Sequence, residues 1–184
     1  MKTIGVLGEY LRPVFPLQPH TQLLETARKL GEWSDFLVIT ANALHIFQEN
    51  IEAASGCKVL SMIEVTLEEV ERRPAGKVGV LGFGEPLIYQ IPLDKLSIPY
   101  ETLPVESRDR LDQAIWAVWE GRVGDQERQI ASEVVDWLRA RNTEMIILGC
   151  TEIPLLLGEL ADQPDLINPA QLLAEAAVRY AMQE

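Results

Sequence analysis

The amino-acid sequence predicts an α/β fold built on mainly parallel sheets. Short apolar runs alternate along the chain with longer segments whose apolar residues recur at helical spacing. The runs contain few alternating polar residues, which is typical of parallel strands covered on both faces. One run, TIGVLG at Thr3–Gly8, is nearly repeated as KVGVLG at Lys77–Gly82. The sequence therefore predicts two related α/β halves.

The strand candidates are short runs rich in Val, Ile and Leu, which favour strands over helices. In chain order they are Thr3–Leu7, Phe36–Thr40, Val59–Ser61, Val78–Leu81, Tyr100–Leu103, Met145–Leu148 and Leu166–Ile167.

The helix candidates lie between these runs and show apolar residues three or four positions apart. They are His20–Leu30, Leu44–Ala54, Val65–Arg72, Arg108–Trp119, Asp125–Arg141, Glu152–Leu160 and Ala170–Met182. Asp125 and the pair Asn168-Pro169 are typical helix-start residues.

Two further segments repeat in the same order. DFLVITANALH at residues 35–45 aligns with EMIILGCTEIP at 144–154, and KVLSMIEVTLEEV at 58–70 aligns with DLINPAQLLAEAA at 165–177. We therefore predict a first lobe of residues 1–75 with 170–184 and a second lobe of residues 76–169, joined near a Pro/Gly turn. Because fewer residues separate the first two strands of the first lobe, we expect that lobe to lack a strand and a helix.

Composition and charge exclude several functions. The chain has 184 residues and a net charge of −12, which argues against nucleic-acid binding and against binding to an anionic membrane. Two cysteines are too few for a disulfide framework, and no apolar run has the length of a membrane span. We expect a cytoplasmic protein, because MKTIGVLG reads as a first strand and not as a signal peptide.

Cys150 and Ala41 are expected at equivalent strand ends. In the repeat, Ala41 aligns with Cys150 and Asn42 with Thr151. Ligands of open α/β sheets bind beyond the carboxyl ends of the strands, so we expect these positions to face one another across a cleft between the lobes. A thiol just before a helix is expected to have a lowered pKa and to be reactive. It is equally compatible with a small buried residue that ends a core strand.

MIILGCTEIPLLL followed by LINPAQLLAEAAVRYA resembles the aspartate/glutamate/hydantoin racemase superfamily. The resemblance extends to MKTIGVLG and DFLVITANALH and so covers nearly the whole chain. It implies two flavodoxin-like lobes related by pseudo-symmetry, a homodimer, no cofactor and no metal. It also implies a small carboxylic or amino acid as substrate, with one cysteine from each lobe transferring a proton on opposite faces of the Cα atom.

The first lobe departs from that pattern, because Ala41 stands where the resemblance implies a cysteine. Cys150 is then the one cysteine predicted to be catalytic, and His45 is the nearest titratable candidate for a second proton-transfer group. Cys57 is expected to be structural, since it precedes a strand. The resemblance implies substrate contacts from Gly8, Ala41, Asn42, Gly82, Thr151 and Glu152, and Arg12 is a candidate for binding a second carboxylate.

Three functions follow from this departure. The first is proton transfer at Cα by a single cysteine, without a second base for racemisation. The second is decarboxylation of a malonate-type acid, which needs a single proton donor. The third is a non-catalytic protein that binds small carboxylates. A redox protein or a metal site is disfavoured, because the sequence has no Cys-x-x-Cys pair and no ligand-like spacing of His and Cys.

Overall fold

A computed structural model describes residues 2–8, 18–73 and 76–183, and it confirms the α/β fold. Arg12 lies outside the described residues. The strands among them are β1 (Ile4–Leu7), β2 (Phe36–Ile39), β3 (Lys58–Leu60), β4 (Val78–Leu81), β5 (Tyr100–Thr102), β6 (Met145–Leu148) and β7 (Leu166–Ile167). Every predicted strand is present within about one residue of its expected bounds.

The α-helices in the described ranges are α1 (Thr21–Gly31), α2 (Gln48–Ser55), α3 (Met62–Arg72), α4 (Leu87–Lys95), α5 (Val105–Trp119), α6 (Asp125–Arg139), α7 (Ile153–Leu157) and α8 (Pro169–Met182). Two 3₁₀ helices, Asn42–Phe47 and Gly158–Asp162, adjoin α2 and α7. None of these helices has the length and apolar character needed to cross a membrane.

Two compact units divide the chain. The first contains residues 1–65 and 170–184, and the second contains residues 66–169. In both units the strands run parallel, in the order β1-β2-β3 in the first and β5-β4-β6-β7 in the second. Each unit therefore has its own sheet, whose strand ends can carry functional loops.

The first unit buries apolar side chains on both faces of its sheet. One face packs against α1 and α2, through a cluster that includes Leu37, Ile39 and Ile51. The other face packs against α8, where Leu173 and Ala177 meet Phe36 and Val38. The sequence pattern of uninterrupted apolar strands follows from this double coverage.

The core of the second unit forms where α5 and α6 cover the sheet. Leu111 and Ile115 of α5 and Leu138 of α6 are fully buried in one cluster with Ile146 and Leu148 of β6. The same cluster contains Cys150, just beyond the end of β6. The cysteine thus follows a strand whose four residues are all buried.

Helix α4 was not predicted from the sequence. Its segment begins after Pro86 and contains Pro92, which cannot donate a backbone hydrogen bond and is unfavourable inside a helix. Tyr89 and Leu93 of α4 are fully buried, and this burial stabilises a helix that the local sequence disfavours. Two predicted helices are also shorter than expected, because each is divided between an α-helix and a 3₁₀ helix.

We expect Gly31→Ala to lower the free energy of unfolding by about 1–3 kcal/mol. A Cβ atom at Gly31 would lie 2.1 Å from the backbone oxygen of Ser55, so α1 and α2 would have to move apart. This cost exceeds the gain of about 1 kcal/mol that alanine brings to a helix. Urea unfolding followed by circular dichroism measures the change.

The matched control is Gly124→Ala, whose Cβ atom would meet the flexible Glu127 carboxylate at 3.2 Å and no backbone atom. Equal stabilities of the two variants would contradict the close approach of α1 and α2.

Candidate active site

The loops that follow β4 and β6 lie side by side because these strands are neighbours. The Gly149 N–H donates to the Leu81 carbonyl oxygen at 2.9 Å. A Cβ atom at Gly149 would lie 2.4 Å from that oxygen and 3.0 Å from the Tyr89 ring, so only glycine fits there. This contact brings Gly149-Cys150 next to the end of β4, where Gly82 begins the neighbouring loop.

Cys150 lies in a turn that folds Glu152 back onto its thiol. The Ile153 N–H donates to the Cys150 carbonyl oxygen at 3.1 Å and closes the turn. The Cys150 thiol donates to Oε2 of Glu152 at 2.9 Å, and the Thr151 hydroxyl donates to the same oxygen at 3.0 Å. Thiol, hydroxyl and carboxylate therefore form one polar cluster at the end of β6.

Trp119, the last residue of α5, joins this cluster from 33 positions away in the sequence. Its Nε1–H donates to Oε1 of Glu152 at 2.8 Å. The indole ring also contacts Phe83 and Trp116, with ring centroids 5.0 Å and 5.1 Å away. Sequence reasoning missed Trp119, because it belongs to no motif and its partner is brought near only by the fold.

The pKa of the Cys150 thiol is raised, which corrects the expectation of a lowered pKa. Burial is the largest cause, since the residue is 9% exposed, and the negative charge of Glu152 and its hydrogen bond add to it. The expected stabilisation of a thiolate by a helix start is small here, because α7 has five residues. Cys150 is accordingly a protonated thiol in the resting protein.

Asp112 of α5 holds the neighbouring loop. Its Oδ1 accepts a hydrogen bond from the Gly84 N–H at 2.9 Å, and Gly84 has a positive φ of 63° that favours glycine. Partial burial raises the pKa of Asp112, and the Asp112 charge in turn contributes to the raised pKa of Cys150. Sequence reasoning missed Asp112 as well, because it belongs to no motif.

In the first unit, Gly8 and Ala41 follow the adjacent strands β1 and β2. The Thr40 hydroxyl donates to the Leu7 carbonyl oxygen at 3.4 Å, and a Cβ atom at Gly8 would lie 2.8 Å from that hydroxyl. Ala41 precedes the 3₁₀ helix that begins with the buried Asn42. Gly8, Ala41 and Asn42 are therefore near the carboxyl ends of their strands, as the sequence predicts.

His45 is buried and makes hydrogen bonds to the backbone through both ring nitrogens. The Met62 N–H, at the start of α3, donates to Nε2 at 3.0 Å. Nδ1 must then carry the proton, which it shares between the carbonyl oxygens of Ala41 at 3.1 Å and Asn42 at 3.2 Å. Burial lowers the pKa of His45, so the ring is neutral.

Cys57 lies at the opposite end of its sheet, one residue before β3. Its thiol donates to the Ser34 carbonyl oxygen at 3.2 Å and contacts the Gly31 carbonyl oxygen at 3.7 Å. These contacts agree with the structural role expected for Cys57.

The structure thus brings together the predicted site residues in two groups. Gly82, Cys150, Thr151 and Glu152 lie at the strand ends of the second unit, and Gly8, Ala41, Asn42 and His45 lie at those of the first. Within the first group the chemistry is a protonated thiol beside a carboxylate. Within the second group the position aligned with Cys150 carries a methyl group, which cannot exchange a proton.

Comparison with known proteins identifies a family whose model this chain matches. Residues 17–177 match the family model described as Asp/Glu/Hydantoin racemase. The broad specificity amino-acid racemase RacX of Bacillus subtilis is 24% identical over 171 residues, which are 91% of this chain and 74% of RacX. The crystal structure of a candidate Asp/Glu racemase from Yersinia pestis has a TM-score of 0.75 at 29% identity, covering 88% of this chain and 74% of that chain.

The fold also matches unliganded arylmalonate decarboxylase, with a TM-score of 0.57 at 14% identity. The match covers 100% of this chain and 94% of the decarboxylase. At this identity the similarity shows a shared fold alone.

We expect His45→Phe to lower the free energy of unfolding by about 1–3 kcal/mol near neutral pH, because the Met62 N–H loses its acceptor. The difference in free energy of unfolding between wild type and His45→Phe should shrink on acidification. Since the pKa of His45 is lowered in the fold, the unfolded chain takes up that proton first below about pH 6.5, at a cost of up to about 1.4 kcal/mol per pH unit. His45→Phe has no imidazole at this position, so its free energy of unfolding does not fall for this reason on acidification.

Urea unfolding at a series of pH values measures both effects. His20→Asn is the control, because His20 is exposed and its ring nitrogen accepts the Gln22 N–H at a helix start, as an asparagine side chain can. An identical pH dependence in wild type and His45→Phe would contradict the buried neutral ring.

Proposed function

Because this chain belongs to the Asp/Glu/hydantoin racemase family, we propose that it transfers protons at the Cα atom of a small carboxylic or amino acid, with Cys150 as the proton carrier. The observation that carries this proposal is the Cys150 thiol hydrogen-bonded to Glu152 at the end of β6. The name of RacX, a broad specificity amino-acid racemase, supports amino acids as the substrate class.

The proton steps need two states of the thiol. In the proposal, Glu152 accepts the thiol proton, and the resulting thiolate removes the Cα proton of the substrate. The electron pair left on Cα is delocalised into the substrate carboxylate, which becomes enolate-like. The thiol exchanges the proton it took with solvent and returns a solvent proton to the same face of Cα, and Glu152 then gives its proton back to the thiolate. The Cα hydrogen is therefore exchanged while the configuration is retained.

The substrate carboxylate needs donors that offset its growing negative charge. We propose that the backbone near Gly82 and Thr151 supplies them, and contacts of the substrate with Gly8, Ala41 and Asn42 stay predictions. The Glu152 carboxylate already accepts hydrogen bonds from Trp119, Cys150 and Thr151. A contact between Glu152 and the substrate therefore stays a prediction.

A proton-transfer role for His45, a homodimer and a cytoplasmic location also remain proposals. A proton-transfer role for His45 would require it to give up its hydrogen bonds to Met62 and to the carbonyl oxygens of Ala41 and Asn42. A homodimer and a cytoplasmic location are the states that the sequence favours, and neither is needed for the proton transfer described here.

We expect exchange of the Cα hydrogen with solvent deuterium for one enantiomer of an amino acid, without its conversion to the other. Proton NMR with aspartate, glutamate and a set of neutral and basic amino acids, each as both enantiomers, measures exchange and conversion together. Cys150→Ala should abolish the exchange because it removes the proton carrier.

Cys57→Ala is the matched control and should retain exchange, since Cys57 lies at the other end of its sheet. Conversion between enantiomers would show a second proton-transfer group, and its loss in His45→Phe would identify His45. Exchange that survives in Cys150→Ala would overturn the assignment of Cys150. Absence of exchange, with a carboxylate bound by calorimetry, would favour the non-catalytic binding protein.

Decarboxylation is the second candidate function. Ala41 leaves the first unit without a proton-transfer group at the position aligned with Cys150, and Cys150 is held protonated. After carbon dioxide leaves a malonate-type acid, the electron pair remains on Cα and takes one proton from one donor. The reaction therefore needs Cys150 as an acid and needs no second base.

We expect a 2-substituted malonate to release carbon dioxide and give one enantiomer of the product if this second function holds. Chiral chromatography of the product and carbon dioxide release measure it, with Cys150→Ala as the inactive variant and Cys57→Ala as the active control. A racemic product would contradict protonation by Cys150 from one face.

A further inference from the structure

Trp119 is tied to the candidate site by its polar edge and held by its ring. The Nε1–H donates to Oε1 of Glu152, while Oε2 of the same carboxylate accepts from the Cys150 thiol. Glu152 thus bridges the indole, through Oε1, and the thiol, through Oε2, which also accepts from the Thr151 hydroxyl. Rotation of the carboxylate away from the thiol would break the indole hydrogen bond as well.

The indole itself has little freedom to follow such a rotation. Its ring contacts Phe83, in the loop after β4, and Trp116, one turn earlier on α5. Aromatic pairs at these centroid distances contribute about 0.5–1.5 kcal/mol each beyond the area they bury. The donor is therefore fixed relative to the loops at the ends of both β4 and β6.

We propose that Trp119 is a positioning residue for Cys150, which it controls by orienting the Glu152 carboxylate against the thiol. This inference rests on the function proposed above, in which Cys150 carries the proton, and it names a cause for the protonated state of the Cys150 thiol. Without the indole donor, Glu152 rotates towards solvent and the thiol loses both the hydrogen bond and the negative charge of Glu152, while the charge of Asp112 on α5 stays in place. The thiol then ionises more readily.

The test is the pH dependence of Cys150 alkylation by iodoacetamide, because the thiolate is the form that reacts. Cys57→Ala serves as the background, since it leaves Cys150 as the one thiol of the chain. We expect Trp119→Phe, which keeps an apolar ring but lacks the donor, to move the alkylation profile to lower pH. At a fixed pH below the midpoint, the rate should rise by about threefold or more.

A double-mutant cycle separates positioning from a general loosening of the structure. Glu152→Gln removes the charge and should also speed alkylation, and Trp119→Phe should then add nothing. Trp33→Phe is the control and should leave the profile unchanged, because Trp33 is exposed and belongs to the first unit. An unchanged profile in Trp119→Phe, or equal effects with and without Glu152, would overturn the proposal.

A second measurement needs no change at Trp119 and covers the case in which Trp119→Phe does not fold. In protein labelled with ¹⁵N-tryptophan, the indole N–H resonance of one of the four tryptophans should shift when Glu152 is changed to Gln. No shift in any indole resonance would overturn the hydrogen bond itself. Neither measurement requires a substrate, so a failure of the proposed activity cannot be mistaken for a failure of this inference.

Discussion

The close approach of β6 to β4 at Gly149 is the constraint on which the candidate site depends. Because Gly149 has no side chain, its N–H can reach the Leu81 carbonyl, and both that carbonyl and the Tyr89 ring lie close to the space that a Cβ atom would fill. The chain can then leave the strand in a tight turn that points Glu152 back at Cys150. Any larger residue would push the strand ends apart and separate the thiol from the loop that begins at Gly82.

The protonation state of Cys150 is decided by competing effects of unequal size. The start of a helix stabilises a negative charge by about 0.3–1 kcal/mol. Burial of an ionised group without a partner costs several times as much, and a second negative charge at hydrogen-bond distance adds to that cost. The stabilisation offered by the start of the five-residue α7 is too small to offset the costs of burial and of the Glu152 charge. Cys150 is therefore a protonated thiol, and it becomes a base only when a neighbouring carboxylate takes its proton.

Sequence patterns are sufficient where the determining interactions are local. Most of the described strands are predictable because they are short apolar runs, with β5, which contains Glu101, as the exception. Cys150 is identified by the residues that surround it. Helix α4 was missed, because Tyr89 and Leu93 are buried by distant parts of the chain despite two prolines. Trp119 and Asp112 were missed for the same reason, since the residues they bind are 33 and 28 positions away.

The placement of α8 has a consequence for how the chain is made. Residues 170–184 complete the core of the first unit, where Leu173 and Ala177 cover Phe36 and Val38. The second unit is continuous and contains all its strands before residue 170. During synthesis the middle of the polypeptide can therefore fold while the N-terminal sheet still waits for its last helix. One face of the first sheet therefore stays uncovered until α8 has left the ribosome, and in that interval it is a surface of the nascent chain that chaperones would bind.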